Sequence, residues 1–392
     1  MYMKKLVVLT GTRADFGLLS PIIKKLMAFT DIDVRVVATG THLSPEFGMT
    51  VSEIESDGIP VDRKISILLS SDAPSAISKA MGLAMISFAD YFEETRPDAL
   101  LVLGDRYETL AVACSAVNAG IPIFHLYGGE TTEGAIDEGI RHALTKFSCI
   151  HFVANDEFRN RVIQLGEAPE RVFKVGAMGP ENALNMPKMS LGELEQSLGC
   201  TLGDKYAVLT FHPVTLEHNT AEAQTEELIS AMEQFPELTF LCTKANGDAD
   251  GRIINACLQE FSERRKNVYL FDSLGARRYL SALSYALFAI GNSSSGLAEV
   301  PSFGIPTINI GDRQKGRMQG GSIINCCPDA ESISMAIHKA LSPEFRQIAA
   351  SAGNPYGDGN TSSKIAAVVH DHLVNNRLIL KKKFYDVEFT QP

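Results

Sequence analysis

Charged and hydroxyl side chains follow the ends of several apolar segments in this chain. In the first half, "GTRAD" (11 to 15), "GDRYE" (104 to 108) and "HLYGGE" (125 to 130) each come directly after such a segment. In the second half, "FHPVT" (211 to 215) and "GNSSSGLAEVP" (291 to 301) do the same. Arginine suits phosphate oxygens, a serine-rich turn before a helix suits a phosphate, and neighbouring carboxylates suit proton transfer. These motifs predict a site for a small phosphorylated ligand, with acid and base chemistry beside it.

The serine-rich motif predicts where a phosphate is held. Ser293 and Ser294 stand between an apolar segment and a predicted helix, so their hydroxyls and the backbone N–H groups can bind phosphate oxygens. Glu299, one turn into that helix, can accept hydrogen bonds from the two hydroxyls of a ribose. The alternative interpretation is a serine-rich helix cap that binds no ligand.

Three arginines are candidates for the counter-charge of a diphosphate. Arg13 and Arg106 each follow a predicted strand, and a planar guanidinium can contact two phosphate oxygens at once. Arg313 comes just after the strand that follows the serine-rich motif. Each arginine alone also fits a structural ion pair or a solvated surface position. Arg13 and Arg106 together, on neighbouring strand ends, favour the ligand.

Acids and one histidine are candidates for proton transfer. Asp105 and Glu130 come directly after apolar strands, where burial can shift their pKa values toward those of a general acid or base. Asp137 is either catalytic or a capping residue, because it stands in the first turn of the helix "AIDEGIRHALTKF". His212 ends a strand before a proline, and we expect it to point into a cleft between two domains and touch the leaving phosphate. Asp15, grouped with the nucleotide-binding residues, is expected to hold the Arg13 turn or, alternatively, to join the acid and base work.

Strands and helices in alternation must position these side chains. Apolar runs such as "LVVLT" (6 to 10) and "ALLVLG" (99 to 104) are separated by amphipathic segments, which is typical of parallel sheets covered by helices on both faces. The pattern stops at the stretch 176 to 189, which contains Gly, Pro and Met, and then restarts. We therefore predict an α/β fold of two facing Rossmann-like domains with the active site in the cleft between them. The predicted boundaries are 1–176 and 177–361, with a C-terminal helix within about 362–392 packing back on the first domain.

The composition limits the possible partners. Of the 392 residues, 45% are hydrophobic and 21% are charged, and the formal net charge is -11. A negative protein repels nucleic acids and anionic membranes, so neither is expected as a partner. Seven cysteines without a C-x-x-C pair predict free thiols in a reducing compartment, and no apolar stretch reaches the about 18 residues of a membrane span. We expect a cytoplasmic enzyme without a metal site, and interpret "KKK" (381 to 383) as a solvated helix end.

Five motifs in order give the chain a resemblance to a known family. "GTRADFGLL", "VLGDRYE", "HLYGGETTEGAIDEGIRHALTK", "FHPVT" and "GNSSSGLAEVPSFGIPTINIGDRQKGR" look like those of the hydrolysing UDP-N-acetylglucosamine 2-epimerases. The resemblance extends from residue 6 to about 317, and the closing "FYDV" resembles bacterial members. It implies the GT-B fold, in which two Rossmann-like domains face each other, and a homodimer or homotetramer. It also implies that neither NAD nor an essential metal takes part.

The resemblance implies a reaction as well. Such an enzyme removes the C2 proton of UDP-N-acetylglucosamine, expels UDP to leave a glycal, and adds water with protonation on the opposite face of C2. The products would be UDP and N-acetylmannosamine, in the first step of sialic acid biosynthesis. Asp105, Glu130, Asp137 and His212 fall at positions that the family uses for catalysis, and the division between base and acid stays open. The nucleotide positions of the family are matched by Arg13, Arg106, Ser293, Ser294, Glu299 and Arg313.

Three other functions fit part of the pattern. A hydrolysing 2-epimerase of UDP-2,4-diacetamido-2,4,6-trideoxyglucose, on the route to legionaminic acid, would share almost every motif. A GT-B glycosyltransferase would keep the nucleotide site but needs fewer acids than Asp105, Glu130 and Asp137. A nucleotide-sugar sensor without activity would not need these carboxylates. Non-hydrolysing epimerases usually carry "GTRPE" and "HVEAGLR", so "GTRAD" and "HLYGGE" in this chain favour hydrolysis.

Overall fold

The chain folds into two compact units in the computed structural model, which describes residues 3–69, 71, 73–131, 136–213, 220–245 and 251–388. The first domain comprises Met1–Met178 and Asn360–Pro392, and the second comprises Gly179–Gly359. Residues 132–135 and 214–215, which belong to two of the motifs above, lie outside the described residues.

A parallel sheet forms the centre of the first domain. Its strands in the described residues are β1 Lys4–Thr10, β2 Ile32–Thr39, β3 Val61–Ile65, β4 Ala99–Leu103, β5 Ile123–Leu126, β6 Ile150–Val153 and β7 Val172–Lys174. Their order is β3-β2-β1-β4-β5-β6-β7, and every neighbouring pair is parallel. The direction of winding therefore reverses between β1 and β4, which is where doubly wound sheets bind their ligands.

Helices cover both faces of this sheet. They include α1 Arg13–Met27, α2 Val51–Ser56, α3 Pro74–Thr95, α4 Tyr107–Asn118, α5 Ile136–Phe147 and α6 Asp156–Gln164. Successive residues of β1 point to opposite faces, so Leu6 and Val8 lie in the core beneath α1 while Val7 lies in the core beneath α3 and α4. All three side chains are fully buried. Burial on both faces explains why the strand is apolar without alternation.

The second domain repeats this plan. Its strands in the described residues are β8 Tyr206–Thr210, β9 Thr239–Thr243, β10 Val268–Phe271, β11 Phe288–Gly291, β12 Thr307–Ile310 and β13 Ile323–Cys326. The order β10-β9-β8-β11-β12-β13 is again wholly parallel and reverses between β8 and β11. The accompanying helices are α7 Met178–Asn185, α8 Leu191–Leu198, α9 Ala221–Glu233, α10 Gly251–Arg264, α11 Gly275–Leu283, α12 Ser295–Ala298, α13 Ala330–Leu341 and α14 Pro343–Ser351.

The last helix, α15 Thr361–Val374, returns to the first domain. Its apolar residues Ile365, Val369 and Leu373 lie in the same core as Leu6 and Val8. The predicted α/β class with two Rossmann-like sheets is confirmed.

Two details of the prediction were wrong. The strands β3 and β13 were not predicted, because each lies at the edge of its sheet and exposes part of its length, so neither reads as a continuous apolar run. The "KKK" run is not a helix end, since α15 stops at Val374. Nor is all of it solvated: only 19% of the Lys382 side chain is exposed, because its ammonium group is bound to Glu167.

Candidate active site

The turn after β1 is held by a reciprocal helix cap. Thr12 caps α1 and its hydroxyl accepts from the Asp15 N–H at 3.1 Å, while Asp15 Oδ2 accepts from the N–H groups of Thr12 at 3.0 Å and Gly11 at 3.3 Å. Burial raises the pKa of the Asp15 carboxyl, against the effect of its hydrogen bond to Thr12 and of the nearby Arg106 charge. The structure thus gives Asp15 the loop-holding contacts that were expected of it.

Arg13 lies in the same turn but points toward solvent. Its Nε forms an ion pair with Glu53 at 3.1 Å, and both side chains are largely exposed. Exposed pairs of this kind contribute about 0–1 kcal/mol to stability. Arg13 can therefore exchange Glu53 for a phosphate at little cost.

Arg106, after β4, is held from beneath by a buried acid. Its Nε donates to Oε1 of Glu108, whose side chain is only 1% exposed. Gly11 leaves the space that this carboxylate occupies, because a Cβ at Gly11 would lie 2.9 Å from Glu108 Oε1. The other oxygen, Glu108 Oε2, has no hydrogen-bond partner among the described residues. Glu108 is the last residue of the GDRYE motif, and its burial beneath the β1 turn has no signature in the sequence.

A buried arginine gathers the carboxylates at the next strand ends. Arg141, on α5, is 4% exposed, and its Nη2 donates to Asp105 Oδ2. Its Nη1 donates to the Glu130 carbonyl at 3.0 Å and to Glu138 Oε2 at 3.1 Å. One guanidinium thus fixes the turn after β4, the loop after β5 and the first turns of α5. Arg141 was not predicted from the sequence, in which its place on the buried face of an amphipathic helix was the available signal.

Asp137 is the predicted catalytic residue that stands apart from this group. It is exposed in the first turn of α5, whereas Glu138 beside it points to Arg141 and also accepts from His142 Nε2 at 3.0 Å. Its two interpretations, catalysis and helix capping, both fit this position.

His125 lies beneath the turn after β4 and the loop after β5. Its Nε2 donates to the carbonyl of Gly104 at 2.8 Å, directly before Asp105, and its Nδ1 would lie 3.2 Å from a Cβ at Gly128. Complete burial lowers its pKa to about 4, so the ring is neutral at ordinary pH. The loop above it is tightly folded, since Tyr127 adopts the left-handed region with φ 67°.

In the second domain, Asn292 joins the ends of β8 and β11. Its Nδ2 donates to the His212 carbonyl at 2.8 Å and its Oδ1 accepts from the His212 N–H at 2.7 Å. The Asn292 carbonyl in turn accepts from Arg313 Nη1 at 3.1 Å and from Gln314 Nε2 at 2.8 Å. The strand ends approach so closely that a Cβ at Gly291 would collide with the Thr210 carbonyl. His212 and Arg313 are therefore brought together through Asn292, which was not predicted as a site residue.

The helix after the serine-rich motif is shorter than predicted. Ser294 precedes α12, which has only four residues, so Glu299 caps the end of that helix and is not part of it. Ser293 Oγ accepts from the Ser295 N–H at 3.4 Å, and the Ser295 hydroxyl lies 2.8 Å from the hydroxyl of Tyr279. Burial raises the pKa of Glu299, partly offset by its hydrogen bond to Ser295. A phosphate here would depend on hydroxyl and N–H groups more than on a helix dipole.

Two negative findings apply to the described part of the chain. Within residues 3–388, apart from the gaps given above, no helix is long and apolar enough to cross a membrane. Over the same residues, no three His, Cys, Asp or Glu side chains are grouped so that they could hold a metal ion.

In both domains, polar and charged side chains lie where the direction of winding of the sheet reverses. Nucleotide-binding α/β proteins hold their ligands at the same position. The chain belongs to the UDP-N-acetylglucosamine 2-epimerase family, whose sequence profile matches residues 24–370. The resemblance found in the motifs is thereby confirmed.

Individual relatives are similar over almost the whole chain. The GDP/UDP-N,N'-diacetylbacillosamine 2-epimerase (hydrolyzing) of Campylobacter jejuni is 39% identical over 348 residues, covering 88% of this chain and 90% of that protein. Polysialic acid biosynthesis protein P7 of Escherichia coli is 36% identical over 386 residues, which is 98% of each chain. The crystal structure of UDP-GlcNAc 2-epimerase from Neisseria meningitidis bound to UDP-GlcNAc has the same fold, with a TM-score of 0.79 at 20% identity over 94% of this chain and 99% of that one.

Proposed function

We propose that the protein is a hydrolysing 2-epimerase that converts UDP-N-acetylglucosamine and water to N-acetylmannosamine and UDP. The observation that carries the proposal is the group around Arg141, which holds Asp105 and the Glu130 loop side by side beyond the carboxyl ends of β4 and β5. Family membership and the hydrolysing relative from Campylobacter jejuni support the reaction class.

The first chemical step is an elimination. A carboxylate from the set Asp105, Glu130 and Asp137 takes the C2 proton, the C2–H electron pair forms the C1–C2 double bond, and the C1–O bond breaks with its electrons leaving on UDP. Water then supplies a hydroxyl to C1, and a proton is delivered to the opposite face of C2. Neighbouring carboxylates can share these tasks, because one must accept a proton while another donates it.

The departing diphosphate needs positive charge and hydrogen-bond donors. Arg13 and Arg106 are assigned to it in the first domain. In the second domain Ser293, Ser294 and Arg313 are assigned to the phosphates, His212 to the leaving oxygen and Glu299 to the ribose. Arg13 supports this assignment because its ion pair with Glu53 is exposed and therefore weak.

A second substrate is favoured by a specific observation. The 39% identical relative is named for N,N'-diacetylbacillosamine, the 2,4-diacetamido-2,4,6-trideoxy sugar. Its chemistry at C1 and C2 is the same, so the same carboxylates would serve, and the difference lies in the groups at C4 and C6.

Parallel incubations distinguish the two substrates. The purified protein is given UDP-N-acetylglucosamine or UDP-N,N'-diacetylbacillosamine, and released UDP is measured together with the free sugar. We expect release of UDP and N-acetylmannosamine from the first. Consumption of only the second would mean that UDP-N,N'-diacetylbacillosamine is the substrate. Consumption of neither would refute the proposed activity.

Substitution of Asp105 by asparagine tests its role. Asp105→Asn is expected to keep UDP binding while turnover falls by about a hundredfold or more, the usual contribution of a general acid or base. Asp156→Asn, in the first turn of α6 and largely exposed, is the matched control and should change neither quantity. Loss of UDP binding in Asp105→Asn would indicate a structural role instead.

A further inference from the structure

Residues 376–385, which follow α15, cross the first domain without forming a helix. We refer to residues 376–385 as the C-terminal strap. The Tyr385 N–H donates to the Gly166 carbonyl at 2.9 Å, and the Phe384 ring occupies the space above Gly166, where a Cβ would collide with it. The strap is thus seated at a position shaped to receive it.

One lysine of the strap enters a buried charge cluster. Lys382 Nζ donates to Glu167 Oε1 at 2.7 Å and to the Ser148 carbonyl at 2.8 Å. Lys146 Nζ donates to the same Glu167 oxygen at 2.6 Å, and the Glu167 side chain is 1% exposed. Two ammonium groups therefore face one buried carboxylate. Burial acts to raise the pKa of Glu167, but hydrogen bonds from His151, Lys146 and Lys382 lower it to about 2.

The cluster continues toward the catalytic loops through two buried histidines. Glu167 Oε2 accepts from His151 Nε2 at 3.2 Å, and His151 on β6 is in register with His125 on β5. His125 Nε2 donates to the carbonyl of Gly104, the residue before Asp105. A carboxylate and a carbonyl only accept, so each Nε2 carries the proton. The Nδ1 atoms of both rings have no partner among the described residues.

We propose that Lys382 is a positioning residue for the catalytic turn, because its charge keeps His151 neutral and so keeps His125, Gly104 and Asp105 in place. The inference rests on the role of Asp105 in the proposed function. Protonation of His151 would add an N–H at Nδ1 with no acceptor in the described residues, and a positive charge beside His125. Such a charge is costly in a buried site, and its partner Glu167 is already shared by the ammonium groups of Lys146 and Lys382.

The charges that face His151 determine whether its ring is neutral or protonated. Burial lowers the pKa of His151, Glu167 acts to raise it, and Lys382 and Lys146 act to lower it further. His125, the register partner of His151 on β5, is itself neutral. Removal of Lys382 leaves one lysine against one carboxylate, so the pKa of His151 must rise.

The test compares three variants within the same lysine run. Lys382→Met removes the charge, Lys382→Arg keeps it, and Lys383→Met is the matched control, because Lys383 is exposed. For Lys382→Met we expect the acid limb of the kcat profile to move upward by about one pH unit, an ordinary size for an environmental shift, with about tenfold loss of kcat below that limb. Lys382→Arg and Lys383→Met should keep the wild-type profile. Superimposable profiles for Lys382→Met and Lys383→Met would overturn the proposal.

A stability measurement decides the question independently of substrate. The folded-state pKa of His151 lies below its unfolded value, so the unfolded state binds more protons and stability falls as pH drops through about 6.5. In Lys382→Met the folded-state and unfolded-state pKa values of His151 are closer to each other, so less stability is lost as the pH drops. The difference in unfolding temperature between Lys382→Met and Lys383→Met should therefore shrink from about pH 7.5 to 5.5.

Glu167 does not titrate in that range. A difference that stays constant with pH would overturn the proposal. If neither sugar nucleotide were consumed by the wild-type protein, the proposed function would fail, and this measurement would still show whether Lys382 controls His151.

Discussion

Replacement of Arg141 by methionine removes the cation around which the acids of the first domain are arranged. The guanidinium is 4% exposed and donates to the Asp105 carboxylate, the Glu138 carboxylate and the Glu130 carbonyl. Methionine fills much of the same volume with an apolar chain, so the main change is loss of charge and of these hydrogen bonds.

The size of the effect follows from burial. Removing one partner of a buried ion pair costs about 3–5 kcal/mol, and a charged hydrogen bond contributes about 1.5–3 kcal/mol. The side chains of Asp105 and Glu138 are 24% and 25% exposed, so water recovers part of the loss. We take the lower end, about 3 kcal/mol, which corresponds to a fall in Tm of roughly 6–12 °C for a domain of this size.

Activity should fall more steeply than stability. Asp105 loses the contact that fixes its orientation, and a misplacement of about 1 Å can reduce turnover about a hundredfold. The assay pairs thermal unfolding with kcat measured at a temperature where the variant is folded. Arg63→Met is the control, because its ion pair with Glu94 is exposed and should contribute less than about 1 kcal/mol.

Either of two results would refute this reasoning. An Arg141→Met protein that melts within about 2 °C of Arg63→Met would mean that Arg141 contributes no more than a surface arginine. A clearly destabilised variant with wild-type kcat would mean that Arg141 supports the fold without orienting Asp105.

Two further substitutions test how the nucleotide-binding side chains are held. Glu108→Gln weakens the charged bond to Arg106 Nε, so UDP should bind about tenfold less tightly by isothermal titration; an unchanged Kd would contradict the assigned role of Arg106. Asn292→Ala removes both hydrogen bonds to the His212 backbone and should lower stability by about 2 kcal/mol, with slower turnover. Wild-type kcat in that variant would mean that His212 needs no such anchor.

The sheets could be predicted from the sequence where their strands are buried along the whole length. Central strands such as β1 and β4 are buried on both faces and are therefore continuous apolar runs in the sequence. The edge strand β3 has the burial pattern of a solvated strand, with three exposed residues in five, and leaves no such signal. The polar residues at strand ends could also be located, because the end of each apolar run marks the end of a buried strand and the polar residues follow directly.

The supports of the site could not be predicted, because they depend on distant parts of the chain. Asn292 binds the backbone of His212, 80 residues earlier, and Arg141 reaches Asp105 across 36 residues. Neither pair has a local spacing rule. Lys382 shows the same limit, because its partner Glu167 lies 215 residues away and only the folded chain buries them together.

The proposed reaction requires exchange of the C2 proton together with loss of UDP. The protein is incubated in deuterated water with UDP-N-acetylglucosamine and, separately, with UDP-N,N'-diacetylbacillosamine, and the products are followed by proton NMR. We predict UDP and a free sugar of inverted C2 configuration that carries deuterium at C2, with N-acetylmannosamine from the first substrate. A free sugar that retains its C2 proton would contradict removal of that proton by the carboxylates at the end of the first sheet.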